Sequence, residues 1–253
     1  MRLARDWGRP AVFCAILGAS VVVAGLSPAE YPQHLKTLES QLTADTENLR
    51  LAAEYRQLVI ATAAYDRAIK FFERQAERPG AGPHAFLNLA FAYVDKVPVS
   101  GTIRQVYLGH DAINALTRSI QREPTDVAYL IRGLVNLYYD NVIFHRAAKG
   151  IADLEEARRL SAAHPRLPYV PRIFISLGDG YWRVKNALKA REVWRDGLAE
   201  FPDHEPLRAR LTSSDNIIRG LIAHTFDPDE RVDTSLRELF PDVPQFAATS
   251  TER

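Results

Sequence analysis

Short breaks rich in proline and glycine interrupt this sequence at intervals, and the segments between them have a helical rhythm. Residues 47–77 show it most clearly, because apolar residues recur there at a 3.6-residue period without a single Gly or Pro. Runs of β-branched residues in strict alternation, which would indicate strands, are absent. The breaks lie at 79–83, 98–101, Pro124, 164–171, Pro202 and Pro206. Such punctuation predicts an all-α chain built from repeated helical units.

One unit, between residues 174 and 202, has a specific pattern. Its first helix carries Phe174, Leu177, Gly178 and Tyr181, its second carries Ala190 and Trp194, and Pro202 follows. The small residues let two antiparallel helices cross closely, the large side chains fill the space around the crossing, and the proline stops the second helix. These residue types at these spacings resemble the tetratricopeptide repeat (TPR), although Gly197 stands where alanine is usual.

Three further units resemble this repeat less closely. Their matching residues are Tyr65, Ala68, Ile69 and Phe72; then Phe86, Leu89, Ala90, Tyr93, Ala112 and Leu116; then Tyr129, Gly133, Gly150, Leu154 and Ala157. The last of these departs from the pattern, since Arg132 and Asn136 take positions that are usually apolar. The resemblance covers residues 47–204 and implies a TPR-like helical-hairpin solenoid.

Flanking segments complete the predicted organisation of the body. Residues 30–46 have a helical apolar rhythm and predict an N-terminal helix. Residues 205–225 predict a capping helix, which a solenoid needs at its end. Residues 226–253 form an acidic tail broken by prolines, whose apolar residues can dock back on the body. These are Leu236, Leu239, Phe240, Val243 and Phe246.

The first 29 residues predict a signal peptide or a membrane anchor. Residues 1–9 contain three arginines and one aspartate, and no charged residue or histidine follows until residue 30. A positive start, an apolar middle and a small-residue exit are the parts of a secretory signal, and the apolar run is almost long enough for a single membrane span. Both interpretations predict a body that is exported, periplasmic or membrane-anchored outside the cytoplasm; a buried helix of a cytosolic domain is the third alternative.

Charge and motif content argue against several function classes. With 32 Lys and Arg against 31 Asp and Glu, the chain lacks the cation excess of a general nucleic-acid binder. The single cysteine, Cys14, lies in the export segment and excludes a disulfide framework. The seven histidines lack metal-ligand spacing, and no nucleophile elbow or phosphate-binding loop is present. We therefore predict no catalytic residue, no metal and no cofactor.

The TPR resemblance implies that the first helices of the repeats line a concave groove, which would be apolar over most of its length and charged at one end. The candidate binding residues are Leu87, Phe91, Asp95, Leu130, Leu134, Tyr138, Arg172, Asp179, Trp182 and Arg183. The preferred function is a non-enzymatic scaffold or adaptor of the cell envelope that binds a partner protein in this groove. The alternative is a carrier of an apolar small molecule or lipid in the same groove. The chain's own first helix, residues 31–43, or its C-terminal segment could equally fill it.

Two repeats also contain additional residues between their helices. We compared the separation between the small residue of each first helix and the position of the second helix that Trp194 occupies in the last unit. It is 16 residues from Gly178 to Trp194, 21 from Gly133 to Leu154 and 26 from Ala90 to Leu116. Insertions at equivalent positions of a solenoid project from one edge. Residues 95–109 and 138–148 should therefore lie side by side, either as a lip that contacts a partner or as an extension of the core.

Overall fold

The computed structural model describes residues 26–140, 145–226 and 232–249, and its regular structure in these ranges is entirely helical. Eleven α-helices are present there, together with two short 3-10 turns, Pro28–Glu30 and Val97–Val99. The α-helices are α1 Tyr31–Ala44, α2 Leu49–Ala61, α3 Tyr65–Ala76, α4 Pro83–Asp95, α5 Thr102–Arg122, α6 Asp126–Tyr138, α7 Ala147–Ser161, α8 Val170–Arg183, α9 Ala187–Glu200, α10 Glu205–Thr212 and α11 Asp215–Thr225.

Consecutive helices pair into hairpins, and the hairpins stack into one solenoid. The pairs are α2 with α3, α4 with α5, α6 with α7, and α8 with α9. Each second helix also contacts the first helix of the next pair, and a single hydrophobic core runs through all four pairs. At the ends, α1 packs on α2 and α10 packs on α9. The predicted all-α helical-hairpin solenoid is therefore confirmed.

The α8–α9 hairpin shows how the repeat pattern produces this packing. The indole of Trp194 is fully buried at the helix crossing, where its Nε1 donates to the carbonyl of Ile175 at 3.4 Å. A Cβ atom on Gly178 would lie only 2.1 Å from that nitrogen. Likewise, a Cβ on Gly197 would lie 2.7 Å from the Cβ of Phe174, which explains why a still smaller residue replaces alanine there.

Polar residues in the α6–α7 hairpin form a network instead of the usual apolar contact. Both carboxylate oxygens of Asp153 accept from Arg132, at 2.9 Å from Nε and 2.6 Å from Nη2. Asn136 donates to the same carboxylate at 3.1 Å and accepts from Arg146 at 2.9 Å. Because these groups satisfy one another, polar side chains are tolerated between the two helices.

The two insertions are neighbours, as predicted from their positions. The first one forms the 3-10 turn Val97–Val99 and lengthens α5 at its N-terminal end. From the second one, the Tyr139 hydroxyl donates to the carbonyl of Gln105 at 2.8 Å, and its ring packs against Gly109. Residues 141–144 of the second insertion lie outside the described residues. Tyr139 thus extends the core, whereas Tyr107 on the first insertion is 61% exposed.

The capping segment differs from the single helix predicted over 205–225. The structure has two helices, α10 and α11, and the chain between them is extended at Ser214, with φ −67° and ψ 158°. Serine hydroxyls compete with the backbone for hydrogen bonds and are poor in helix interiors. Two consecutive serines, Ser213 and Ser214, therefore mark a break that the apolar rhythm alone conceals.

The predicted N-terminal helix of residues 30–46 is α1, whose buried face is formed by Tyr31, Leu35, Leu38 and Leu42. The signal peptide or membrane anchor that the sequence predicts at residues 1–29 lies, up to residue 25, outside the described residues. Within the part of the chain that the structure describes, no helix is both long and apolar enough to cross a membrane.

The Gly178→Ala variant tests the close approach of α8 and α9. The added methyl group collides with the buried Trp194 ring, and overpacking of this kind costs about 1–3 kcal/mol. The matched control is Gly220→Ala on α11, where a Cβ meets nothing within 4 Å and helix propensity alone predicts a gain of roughly 0.5–1 kcal/mol. Urea unfolding of both variants should shift their midpoints in opposite directions. A Gly178→Ala variant as stable as the parent protein would contradict the crossing.

Candidate binding groove

A segment of the chain's own C-terminal region lies along the groove formed by the first helices. This tail segment, residues 232–249, has no regular secondary structure at its start and then turns at 237–239 and 241–243. It contacts α8 and α2 near its beginning, through Asp233 and Thr234. At its far end the amide of Thr249 donates to the carbonyl of Ala61 at 2.9 Å. The tail segment therefore spans the solenoid from α8 back to α2.

A buried polar cluster joins the tail segment to α2 and α4. Arg56 Nη1 donates to Asp95 Oδ2 at 3.1 Å and to the Thr234 hydroxyl at 2.9 Å, and Nη2 donates to the Thr234 carbonyl at 2.5 Å. The same hydroxyl donates to Asp95 Oδ1 at 2.7 Å. Arg56 and Asp95 are each only 2% exposed. Their charges are therefore removed from water, and Thr234 supplies hydrogen bonds that water would otherwise make.

The guanidinium of Arg56 also lies over an aromatic ring. Its Cζ is 4.4 Å from the centroid of the Phe91 ring, within the range of cation–π attraction. Phe91 is fully buried. The predicted groove residue Phe91 thus forms part of the floor beneath the polar cluster.

Two arginines, one on α8 and one on α2, contact acidic residues of the tail segment. Arg172 donates through Nη2 to the Asp233 carbonyl, and its Nη1 lies 3.5 Å from the Asp233 carboxylate and 3.7 Å from that of Glu238. On α2, Arg50 Nη2 donates to Asp242 at 2.7 Å. This last pair is exposed, so it contributes little on its own. The tail segment therefore combines acidic contacts with its apolar ones.

Apolar side chains of the tail segment complete the contact. Val232 and Leu236 are buried. Leu236 takes a left-handed backbone conformation, with φ 51°, which costs a leucine roughly 1–2 kcal/mol. Near the end, the Phe246 ring meets Tyr31 edge to face, with centroids 5.7 Å apart. The prediction that apolar residues after Phe226 dock back on the body is confirmed for Leu236 and Phe246.

Most of the predicted groove residues are buried in this structure. The buried ones are Leu87, Phe91, Asp95, Leu130, Leu134 and Asp179. Of the two internal occupants considered, the C-terminal segment lies in the groove, whereas the first helix packs beside α2. A partner would have to displace the tail segment to reach Asp95, which contacts Thr234; the role of the predicted residues in partner binding stays a prediction.

Two predicted residues point elsewhere. Asp179 is fully buried, and its two oxygens accept from Arg210 of α10 at 2.6 and 2.7 Å. Burial raises the pKa of Asp179, and the Arg210 partner opposes that shift. Asp179 thus fastens the cap to α8 and does not line the groove. Tyr138 lies at the elbow, where its ring is 5.0 Å from that of Tyr139.

Trp182 and Arg183 lie at the end of the groove that the tail segment leaves open. They face α11 across a cavity of about 780 Å³, which we call the end cavity. Arg183 Nη1 donates to the Leu137 carbonyl at 2.5 Å, and its guanidinium is 4.5 Å from the Phe226 ring centroid. Burial lowers the pKa of Arg183. The end cavity is lined by Trp182, Arg183, Lys185, Ala187, Asp215, Arg219, Ile222, Ala223 and Phe226.

From the sequence, neither Arg56 nor Thr234 was identified as part of the site, although the position of Arg56 could have indicated it. Arg56 stands among helix positions that are otherwise buried and apolar, including Ala52, Ala53 and Val59. A charged residue at such a position indicates a buried polar partner. Thr234 carried no comparable signal, because its role depends on a contact with residues more than a hundred positions away. Among the described residues, no three His, Cys, Asp or Glu side chains form a metal-ligand set.

The fold matches that of a known repeat protein. The structure is similar to the crystal structure of a thermophilic TPR protein from Thermus thermophilus, with a TM-score of 0.53 and 18% sequence identity over 72% of this chain and 89% of that chain. No known family profile matches the sequence, and no curated protein sequence matches it. The likeness shows a TPR-like fold, as the residue pattern predicts.

Replacing the hydroxyl at position 234 tests the buried cluster. In the Thr234→Val variant, Arg56 and Asp95 each lose a hydrogen-bond partner while remaining buried, which costs about 1–3 kcal/mol. Amide hydrogen exchange should accelerate across the tail segment and stay unchanged in α8 and α9. Thr212→Val on the exposed face of α10 is the matched control. Equal exchange in the tail segments of both variants would show that the cluster does not hold it.

Proposed function

We propose that this protein is a non-enzymatic scaffold or adaptor of the cell envelope, and that it binds a partner protein in its concave groove. The TPR-like fold supports the general class, because folds of this kind present extended concave surfaces to other proteins. The export segment of residues 1–29 supports the location, whether it serves as a cleaved signal or as a single anchor. No nucleic-acid role is proposed, since the chain is nearly neutral overall.

The observation that carries the proposal is the way the groove holds the tail segment. Arg56 and Arg172 both donate to backbone carbonyls of that segment, at Thr234 and Asp233. Contacts to backbone recognise an extended chain largely independently of its side chains. The groove is thus chemically suited to an extended peptide segment, and the chain supplies one that competes with a partner.

The same contacts indicate the chemistry of the partner. Arg172 lies near two carboxylates of the tail segment, and the Thr234 hydroxyl fits between Arg56 and Asp95. Two positions after Thr234, Leu236 is buried. We infer a partner segment that is extended and acidic and that contains a small hydroxyl residue followed by an apolar one.

The alternative function, a carrier of an apolar molecule along the whole groove, is less well supported. Such a carrier needs a continuous apolar cavity. Here the described tail segment covers the middle of the groove, and the space beside it, between α6, α8 and α11, is a cavity of about 260 Å³.

Site-specific photo-crosslinking in native membranes tests the adaptor proposal. Ile175 lines the cavity beside the tail segment and can be replaced by a photoreactive residue in the full chain. The exposed Arg195 on α9, away from the groove, is the matched control position. The proposal predicts a defined crosslinked protein at position 175 that is absent at 195. Its yield should rise several-fold in the Thr234→Val background, because the competing segment is weakened.

A trans-binding measurement complements the crosslinking. A labelled peptide of residues 232–249 should bind the Thr234→Val protein at least tenfold more tightly than the parent protein, since in the parent the tethered copy has a high effective concentration. Equal affinity for both proteins, with no crosslink at position 175, would contradict groove binding.

A further inference from the structure

The end cavity has an apolar floor that no described segment covers. Its large apolar side chains are Trp182 of α8, Ile222 of α11 and Phe226 directly after α11, and two alanines, Ala187 and Ala223, complete it. Its volume of about 780 Å³ lies within the range of small-molecule sites in proteins, about 300–1,000 Å³. Side chains of this kind receive hydrocarbon or aromatic groups, so the floor favours an apolar ligand body.

Three cations line the same cavity. Arg183 donates to two backbone carbonyls, those of Leu137 and Asp140. Arg219 donates to the neutral amide of Asn216. Neither of them, nor Lys185, forms an ion pair with a carboxylate in the part of the chain that the structure describes. Counted over the described residues that line it, the cavity is therefore short of negative charge.

The acidic residue of the cavity does not correct this imbalance. The carboxylate of Asp215 accepts from Arg191 of α9 at 2.7 Å, so a fourth cation already neutralises it. Arg183 is partly buried, and burial lowers its pKa, while the nearby Asp140 opposes that shift. An anion placed in the cavity would stabilise that charge and would not have to displace a carboxylate from Arg183, Lys185 or Arg219.

We propose that the end cavity binds a small amphipathic carboxylate, of the class of medium- or long-chain fatty acids. The hydrocarbon chain lies against Trp182, Ile222 and Phe226, and the carboxylate faces Lys185 and Arg219 at the exposed rim. A neutral apolar ligand would leave the three cations unmatched, and a compact anion such as phosphate would leave the apolar floor in contact with water. This site is independent of partner binding in the middle of the groove.

Titration of the purified, delipidated full chain with dodecanoate, below its micelle concentration, tests the proposal. Calorimetry and tryptophan fluorescence should report saturable binding at one site, and the fluorescence change should disappear in Trp182→Phe. Dodecanol and dodecyltrimethylammonium have a comparable hydrocarbon chain without the negative charge, and both should bind at least tenfold more weakly. Absence of dodecanoate binding, or equal affinity for the three ligands, would overturn the assignment.

Variants of the rim separate a built site from adsorption on apolar surface. Lys185 and Arg219 are exposed, so the double variant Lys185→Gln with Arg219→Gln should fold normally, as circular dichroism would verify. The proposal predicts at least a tenfold rise in the dissociation constant of dodecanoate and little change for dodecanol. Arg195→Gln, which removes an exposed charge outside the cavity, should leave both affinities unchanged. Equal losses in the double variant and the control, or displacement of dodecanoate only by peptides with a free carboxyl terminus, would refute the fatty-acid class.

Discussion

The hydrogen-bonded contact of Arg56 and Asp95 with Thr234 connects the repeat body to the segment that closes its groove. Burying charged groups costs free energy unless they are paired and their hydrogen bonds are satisfied. Both charges here are only 2% exposed, and the tail segment supplies a hydroxyl and a carbonyl that satisfy them. The docked tail segment therefore stabilises the buried Arg56–Asp95 pair, and the pair in turn holds the tail segment in place.

That coupling gives the groove two functional regions. Its middle is occupied, and access there depends on detaching Thr234 and Asp233 from the arginines that hold them. Its end, between α8 and α11, is open and combines an apolar floor with a local excess of cations. A partner segment would compete with the tail segment, whereas a small carboxylate would not. The two proposed ligands therefore occupy different parts of the groove, which meet at Phe226.

Local patterns predicted the parts of the structure that depend on local packing. Gly178 and Trp194 indicated a close helix crossing, and residue spacing alone placed the two insertions beside each other, where Tyr139 meets Gly109. The break at Ser213 and Ser214 was missed because apolar residues keep their helical period on both sides of it. Asp179 was assigned to the groove by its register, yet its partner Arg210 lies 31 positions further along the chain.

The sequence named the C-terminal segment as one of two internal occupants but could not decide between them, for a similar physical reason. The tail segment has no regular helix, so no periodicity marks which of its residues are buried. Its docking depends on pairs such as Thr234 with Asp95, separated by 139 positions, and on the left-handed conformation of Leu236. Only Arg56, a charge on an apolar helix face, indicated that a polar partner had to come from elsewhere.

Closure of the groove by the tail segment is the central claim, and a distance measurement tests it directly. Described residues contain no cysteine, so spin labels can be placed at Gln33 on α1 and Ala248 in the tail segment once Cys14 is replaced. Both positions are exposed, and the Tyr31 hydroxyl lies 3.4 Å from the carbonyl of Ala247. Pulsed electron–electron double resonance should give one short, narrow distance distribution in the full chain. A broad distribution extending to long distances would show a detached tail and contradict the closed groove.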